Sequence, residues 1–275
     1  MSDNPFKRWF AAGNTRPTPL GTWLMAAAPA TAEALGHAGF DFLVVDAEHV
    51  PIDTADLAHI LRAVAATPAA PLVRLAWNDQ VLVKKALDAG AETIMIPFVE
   101  TAEEARRAVA FAKYPPMGVR GVAAVHRASR FGADAAYLKT ANDRTCVILQ
   151  LETPGAIERL AEIAAVPGVD ALFVGPGDLA AAMGHIGDIG HQDVQAAIEA
   201  AARMAKDAGK PVGIVGGNPE MVGRFRAYGY DFCAVASDVA MMTGRARDWL
   251  ATLRQDGAAT VGAGPGDAAT EGPGY

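Results

Sequence analysis

Cysteine is nearly absent: Cys146 and Cys233 are the only two in 275 residues, each inside an apolar run and neither in a metal-type or redox-type pair. Both read as reduced core residues, which argues against a disulfide scaffold and agrees with a cytoplasmic setting. Positive charge is scarce too, since 24 Lys and Arg against 31 Asp and Glu leave a formal net charge of -7. A surface of that sign offers no field for phosphate backbones, so nucleic acid is not an expected partner. No uncharged run approaches the ~20 residues of a membrane span, and the polar stretch from Met1 to Phe10 lacks the apolar core of a secretory leader. No G-x-G-x-x-G follows a first strand, and the "GPGD" and "IVGGNPE" phrases are neither dinucleotide nor P-loop fingerprints.

What is present is apolar substance in a regular rhythm. Apolar residues make up 51% of the chain and charged residues only 20%, enough for a large core. Between Leu20 and Leu253 short β-like runs alternate with longer helical segments, the pattern of parallel βα units. The eight strand candidates are Gly21–Ala26, Phe42–Val45, Pro71–Leu75, Thr93–Ile96, Thr145–Leu151, Ala171–Val174, Val212–Val215 and Phe232–Ala236. Each is Val/Ile/Leu-rich without alternation, as strands covered on both faces are. Thr101 followed by Glu104 reads as a capping box, and Gly39, Gly90, Gly209 and Gly229 punctuate the ends of helical runs. Eight such units in one chain of this length predict a single (β/α)8 TIM barrel over residues 1–255, with a short helix between Met1 and Arg16. The Gly/Ala/Pro-rich residues 256–275 are expected to be a disordered tail.

Two longer excursions break the rhythm, Phe98 to Asn142 and Gly175 to Gln192, and both are expected on the catalytic face. The ionisable residues at strand ends are few: Asp46, Glu48 and His49 after the second strand, Arg74 after the third, Glu152 after the fifth and Asp178 beyond the sixth. In a barrel such ends converge on one mouth. Glu152 and Asp178 are placed to share a hard cation such as Mg2+ or Mn2+, with Co2+ a further candidate. The bland alternative pairs Glu152 with Arg74 and leaves Asp178 as a helix cap. A guanidinium at the end of an apolar strand needs an anionic partner or ligand, which lets Arg74 bind a keto or carboxylate oxygen. His49, with Asp46 nearby, is a candidate for moving protons. Asp88, at the end of the helical "KKALDAG", reads by periodicity as a surface or capping residue. None of the seven lysines stands at a strand end, so imine formation has no candidate and a metal is the expected electron sink.

The phrases "GFDFLVVDAEHVPID", "VRLAWND", "YPPMGVRGVAA", "RASRFG", "QLETPGAIE" and "VDALFVGPGDLAAAMG", in this order, give a sequence that resembles the HpcH/HpaI family of class II pyruvate aldolases, the 4-hydroxy-2-oxoheptanedioate and 2-keto-3-deoxyglucarate type. The resemblance implies a barrel of the phosphoenolpyruvate/pyruvate superfamily, acting on a small 2-oxo acid and an aldehyde. It implies Glu152 and Asp178 as metal ligands, Arg74 on the pyruvyl oxygen, His49 assisted by Asp46 in proton transfer, and Asp88 in the catalytic network. Amides around Gly177 and Asp178 would hold the substrate carboxylate, with Trp23 among the substrate-binding residues. Arg120 would stand near the aldehyde, from a neighbouring subunit of a homo-oligomer, a hexamer in the family. Ile52 stands where relatives carry Asn, and "GVAAVHRASRFG" is shorter than in the named aldolases. A citrate-lyase-β-like or isocitrate-lyase-like enzyme, or a silent barrel acting as a binding subunit, are the competing readings. A thioester substrate would want a basic groove, for which Arg120, Arg127 and Arg130 are the available cluster.

Overall fold

A parallel strand covered on both faces must send alternate side chains to two different cores, and the burial pattern here does so. The computed structural model describes residues 4–11 and 16–259. Its strands are β1 (Leu20–Leu24), β2 (Phe42–Asp46), β3 (Ala70–Arg74), β4 (Thr93–Ile96), β5 (Cys146–Leu151), β6 (Ala171–Val174), β7 (Val212–Gly216) and β8 (Phe232–Ser237). They close in sequence order into a parallel barrel, β8 pairing back onto β1. The helices are α1 (Pro5–Trp9), α2 (Pro29–His37), α3 (Thr54–Ala65), α4 (Gln80–Asp88), α5 (Ala102–Ala112), α6 (Tyr137–Arg144), α7 (Pro154–Glu158), α8 (Leu160–Ala164), α9 (Pro176–Ala182), α10 (Gln192–Asp207), α11 (Pro219–Tyr228) and α12 (Asp238–Ala259). The capping box at Thr101 forms.

The two cores follow the two-residue period. Leu43, Val45, Val73, Ile94, Ile96, Val147, Leu149, Leu172, Val174 and Ile214 pack outward in one cluster with the helices. Phe42, Val44, Ala70, Leu72, Met95, Cys146, Ile148, Phe173, Phe232 and Ala234 fill the barrel interior. Large rings fit because glycines face them: a Cβ on Gly21 would lie 2.4 Å from Phe42, and one on Gly213 2.4 Å from Phe232. The floor is plugged by α1. Phe6 is fully buried with its ring 5.4 Å from Phe42 and 5.9 Å from Phe232. Asn4 caps α1 and donates to the Glu92 and Arg144 carbonyls at the N-terminal ends of β4 and β5.

The first long excursion falls on the opposite end of the barrel from the one expected. Once α5 has run back from the mouth, the remaining residues 113–136 form an αβ connection at the N-terminal side of the strands. Lys113 anchors it there, its Nζ donating to the Asn142 and Thr145 carbonyls. The second excursion, between α9 and α10, does follow a strand on the mouth side. The first compact unit ends at Asp238, the first residue of α12, and the rest of that helix belongs to a second unit that starts at Val239. That helix extends to Ala259, past the boundary expected at 255, and residues 260–275 lie outside the described part. Among the described residues no helix is long and apolar enough to cross a membrane.

Removing the floor plug should be costly, since a buried phenyl ring cut back to a methyl group typically loses about 3 kcal/mol or more. Phe6→Ala is expected to lower the urea midpoint accordingly while leaving the mouth geometry, and so ligand binding, intact.

Candidate active site

The same parity that fills the interior decides which residues crown it. Asp46 stands above Val44 and Phe42 on β2, Arg74 above Leu72 on β3, and Gln150 and Glu152 above Ile148 on β5, so all four turn into the mouth. Asp46 and Arg74 are also register partners on adjacent strands. Their side chains join through two hydrogen bonds, Nε to Oδ1 at 2.9 Å and Nη2 to Oδ2 at 2.8 Å, with Asp46 wholly buried and Arg74 7% exposed. The planar fork is the geometry that a guanidinium and a carboxylate share best. Trp23 on β1 supports it from below, the guanidinium carbon lying 4.2 Å from its ring centre.

Glu48 completes the anionic side. Its Oε2 lies 3.0 Å from Arg74 Nη1 but off the hydrogen-bond direction, so the atom stays without a hydrogen-bond partner. Burial raises the Glu48 pKa, with Arg74 and His49 acting the other way. The His49 imidazole is 56% exposed and its Nε2 is 3.8 Å from Glu48 Oε2. The arrangement corrects the expected dyad: Asp46 meets only the backbone amide of His49, at 3.4 Å, because Arg74 already occupies its carboxylate. Sequence reading gave Glu48 no task, although its place in "DAEH" was the available signal.

Glu152 does not pair with Arg74. Its Oε2 accepts the Phe98 amide at 2.9 Å and its Oε1 accepts Gln150 Nε2. The carboxyl is 1% exposed, and burial first, then the neighbouring charges of Asp178 and Glu48, push its pKa up to about 8 against the Phe98 hydrogen bond. Asp178 sits half-buried in the first turn of α9, where no side-chain cap bond is made, and Gly177 beside it has open space above its Cα. Gly175 is required for a different reason: a Cβ there would lie 2.4 Å from Glu152 Oε1, so only glycine lets that carboxylate reach the mouth. Neither Gly175 nor Gln150 was singled out from sequence, because their importance comes from a neighbour on another strand. Phe98 holds a left-handed φ of 50°, and Ala27 and Ala236, after or within other strands at this end, do likewise.

The mouth therefore gathers the carboxylates of Asp46, Glu48, Glu152 and Asp178 around the Arg74 guanidinium. Trp23 Nε1, Glu48 Oε2 and Gln150 Oε1 are buried there with no hydrogen-bond partner. Hard oxygen donors in excess of positive charge, with polar atoms left over, fit a divalent cation and a polar ligand.

Asp88 and Arg120 are not brought to this mouth. Asp88 ends α4, at the floor end of the barrel, where Arg120 Nη2 donates to its Oδ1 at 2.7 Å and to the Tyr137 hydroxyl at 3.1 Å. Arg120 is 1% exposed and packs over the Tyr114 ring, and burial pushes the Tyr114 hydroxyl up to about 12. His126 Nε2 lies 3.8 Å from the same Asp88 oxygen. Arg127 donates to the Ala89 and Leu61 carbonyls. Of the arginines considered for a thioester groove, Arg120 and Arg127 thus serve the floor connection.

A closed parallel barrel that gathers acids around one buried guanidinium at its C-terminal mouth has the architecture of a (β/α)8 enzyme. The family model that matches residues 20–243 is HpcH/HpaI aldolase/citrate lyase, and the chain belongs to that family. It is 59% identical over 236 residues to a 2-dehydro-3,6-dideoxy-6-sulfogluconate aldolase of Pseudomonas putida, a match covering 86% of this chain and 92% of the relative. It is 42% identical to a hydroxypyruvate/pyruvate aldolase of Cupriavidus necator, covering 92% of this chain and 94% of the relative. Among solved structures, an HpcH/HpaI aldolase/citrate lyase family protein from Burkholderia cenocepacia superposes with a TM-score of 0.88 at 42% identity, covering 91% of this chain and 99% of that one.

Glu152 gives the site a pH signature. A carboxyl raised from 4.5 to about 8 on folding makes the folded state bind the extra proton, so metal-free protein loses stability as pH rises through that window. Glu152→Gln should abolish the loss, melting above wild type at pH 8.5 and level with it near pH 4.5. Added Mn2+ should raise the wild-type midpoint at pH 8.5 and leave the variant's unchanged, both read by thermal unfolding.

Proposed function

We propose that the chain catalyses the reversible, metal-dependent cleavage of a 4-hydroxy-2-oxo acid into pyruvate and an aldehyde. The observation that carries the reading is Glu152, a carboxylate almost without solvent that has no guanidinium or ammonium bonded to it. A buried carboxyl of this kind ionises at neutral pH only with a cation to compensate it. Glu152 and Asp178 are the residues that would hold Mg2+, Mn2+ or Co2+, and such an ion supplies Lewis acidity toward the keto and carboxylate oxygens of a 2-oxo acid.

The side chains divide the remaining work. Arg74 commits Nε and one Nη2 hydrogen to Asp46, which leaves further N–H groups for the 2-oxo oxygen as it gains negative charge. Asp46 and Trp23 keep that fork from rotating. Amides at Gly177 and Asp178, in the first turn of α9, face the substrate carboxylate. His49, polarised by Glu48 rather than by Asp46, takes the 4-hydroxyl proton directly or through water. As the C3–C4 bond breaks, its electron pair passes to the enolate oxygen and the aldehyde leaves; protonation at C3 then gives pyruvate. Oxaloacetate decarboxylation uses the same enolate and is an expected side activity. The P. putida relative is named for a sulfonated acid, so a sulfonated three-carbon aldehyde belongs among the acceptors to test.

Incubating the enzyme with pyruvate, Mn2+ and a panel of aldehydes should yield adducts identifiable by mass. Arg74→Lys is expected to lower kcat by about 10²–10³, the usual loss when a donor to a developing oxyanion is displaced. Full activity after EDTA stripping, with no metal restored, would defeat the reading.

The small-molecule partners are joined by a second copy of the chain. We propose a homo-oligomer, a hexamer by family resemblance, working in the cytoplasm, where buried Cys146 and Cys233 stay reduced. Its support is the floor connection: Val119, Val122, Val125 and Phe131 are each more than half exposed, a concentration of apolar surface that solvent rarely meets. Asp88 and Arg120 lie beside it and would serve a neighbour's mouth, which reconciles their expected role with their place in the protomer. Sedimentation of the full chain should show an assembly, and Val122→Asp should shift it toward monomer; a wild-type monomer at micromolar concentration would refute the arrangement.

A further inference from the structure

The second long excursion, between α9 and α10, carries a side-chain cluster that the aldol chemistry does not use. His185 and His191 stack with ring centres 3.5 Å apart at 14°, and Asp193 places a carboxylate oxygen 3.8 Å from His191 Nδ1. One ligand atom from each of the three lies within 4.8 Å of the others.

The backbone beneath them is already fixed. The His185 amide donates to the Ala180 carbonyl at 2.8 Å, Asp188 to His185 at 2.9 Å and His191 to Asp188 at 3.2 Å, while Gln195 Nε2 holds the Ile189 carbonyl. Gly184 and Gly187 take the left-handed φ values, 83° and 81°, that this double turn requires. Assembling a chelate therefore costs side-chain rotation and little backbone ordering. Ligand atoms around a tetrahedral ion with bonds of about 2.0–2.1 Å stand roughly 3.4 Å apart. The rings must turn out of their stack and close in by about an ångström, which their partial exposure permits. His191 Nδ1 now accepts the Asp193 amide, and an ion would take over that lone pair.

We propose that His185, His191 and Asp193 form a second metal site, selective for a borderline transition ion such as Zn2+, Ni2+ or Cu2+. Two imidazoles and one carboxylate favour such ions, whereas the all-oxygen mouth suits Mg2+ and Mn2+. The two sites sort metals by ligand chemistry, so the stoichiometry differs with the ion: one equivalent for Mg2+, two for Zn2+. Because the cluster lies between the helix bearing Asp178 and α10, its occupancy also clamps the segment that follows the mouth.

The test uses the full chain with Glu152→Gln, which removes a mouth ligand. Calorimetric titration of this chain with Zn2+ alone should give about one equivalent in the micromolar range, and Mg2+ should give no heat of binding. Adding His185→Ala and His191→Asn should weaken Zn2+ at least about tenfold. Asparagine is chosen because it keeps an acceptor at the N-cap of α10, and an unchanged unfolding midpoint verifies the fold. With Cu2+, the electron paramagnetic resonance spectrum of the Glu152→Gln chain should show coupling to imidazole nitrogen that the triple variant lacks. The proposal fails if the Glu152→Gln chain binds no Zn2+, or if removing both imidazoles leaves its affinity unchanged.

Discussion

Everything at the mouth is arranged around the doubly bonded pair of Arg74 and Asp46. A guanidinium with only 7% exposure would be intolerable alone, and a fully buried carboxylate more so; each removes the other's cost. Once that pair is neutralised, Glu48, Glu152 and Asp178 remain as three acids crowded together without a cation bonded to Glu152. Burial and the neighbouring charges of Asp178 and Glu48 act on Glu152 in the same direction and push its carboxyl up to about 8. Under the proposed function, a site in this condition exchanges a proton for a divalent cation. Affinity for the ion and acidity of the ligand are then one property seen from two sides.

The barrel supplies this arrangement by a rule of parity. Residues two apart on a strand share a face, so filling the interior with Phe42 and Val44 obliges Asp46 to point inward above them, and Cys146 and Ile148 do the same for Gln150 and Glu152. Slipping a strand by one residue would turn all of these mouth side chains toward the helices. The aromatic floor under α1 and the glycines opposite its rings are therefore part of the site's precision, although they never approach a ligand.

The two ends of the barrel have different occupations. The mouth is acidic and carries backbone strain at Ala27, Phe98 and Ala236. The floor end has the plug, the Lys113 anchor and the Asp88, Arg120, Tyr137 cluster, with apolar side chains of residues 117–131 turned outward. The expected site residues thus fall at both ends of the barrel, the distribution that the proposed assembly accounts for.

The amino-acid sequence alone determined the eight strands to within a residue or two at most ends, because continuous apolar runs between glycine-punctuated helices admit little else. It also determined which acids and which arginine stand at strand ends, since Asp46, Arg74 and Glu152 end or directly follow apolar runs. Tertiary structure decided what the linear order leaves open. The connection from 113 to 136 lies at the floor because α5 comes first and consumes the passage away from the mouth, which length alone could not reveal. Asp46 belongs to Arg74 and not to the His49 ring, and Gly175 yields space to Glu152, because partners on neighbouring strands meet through barrel closure and register. Periodicity reports which face a residue takes; only the closed sheet sets the distance at which it meets a residue far away along the chain.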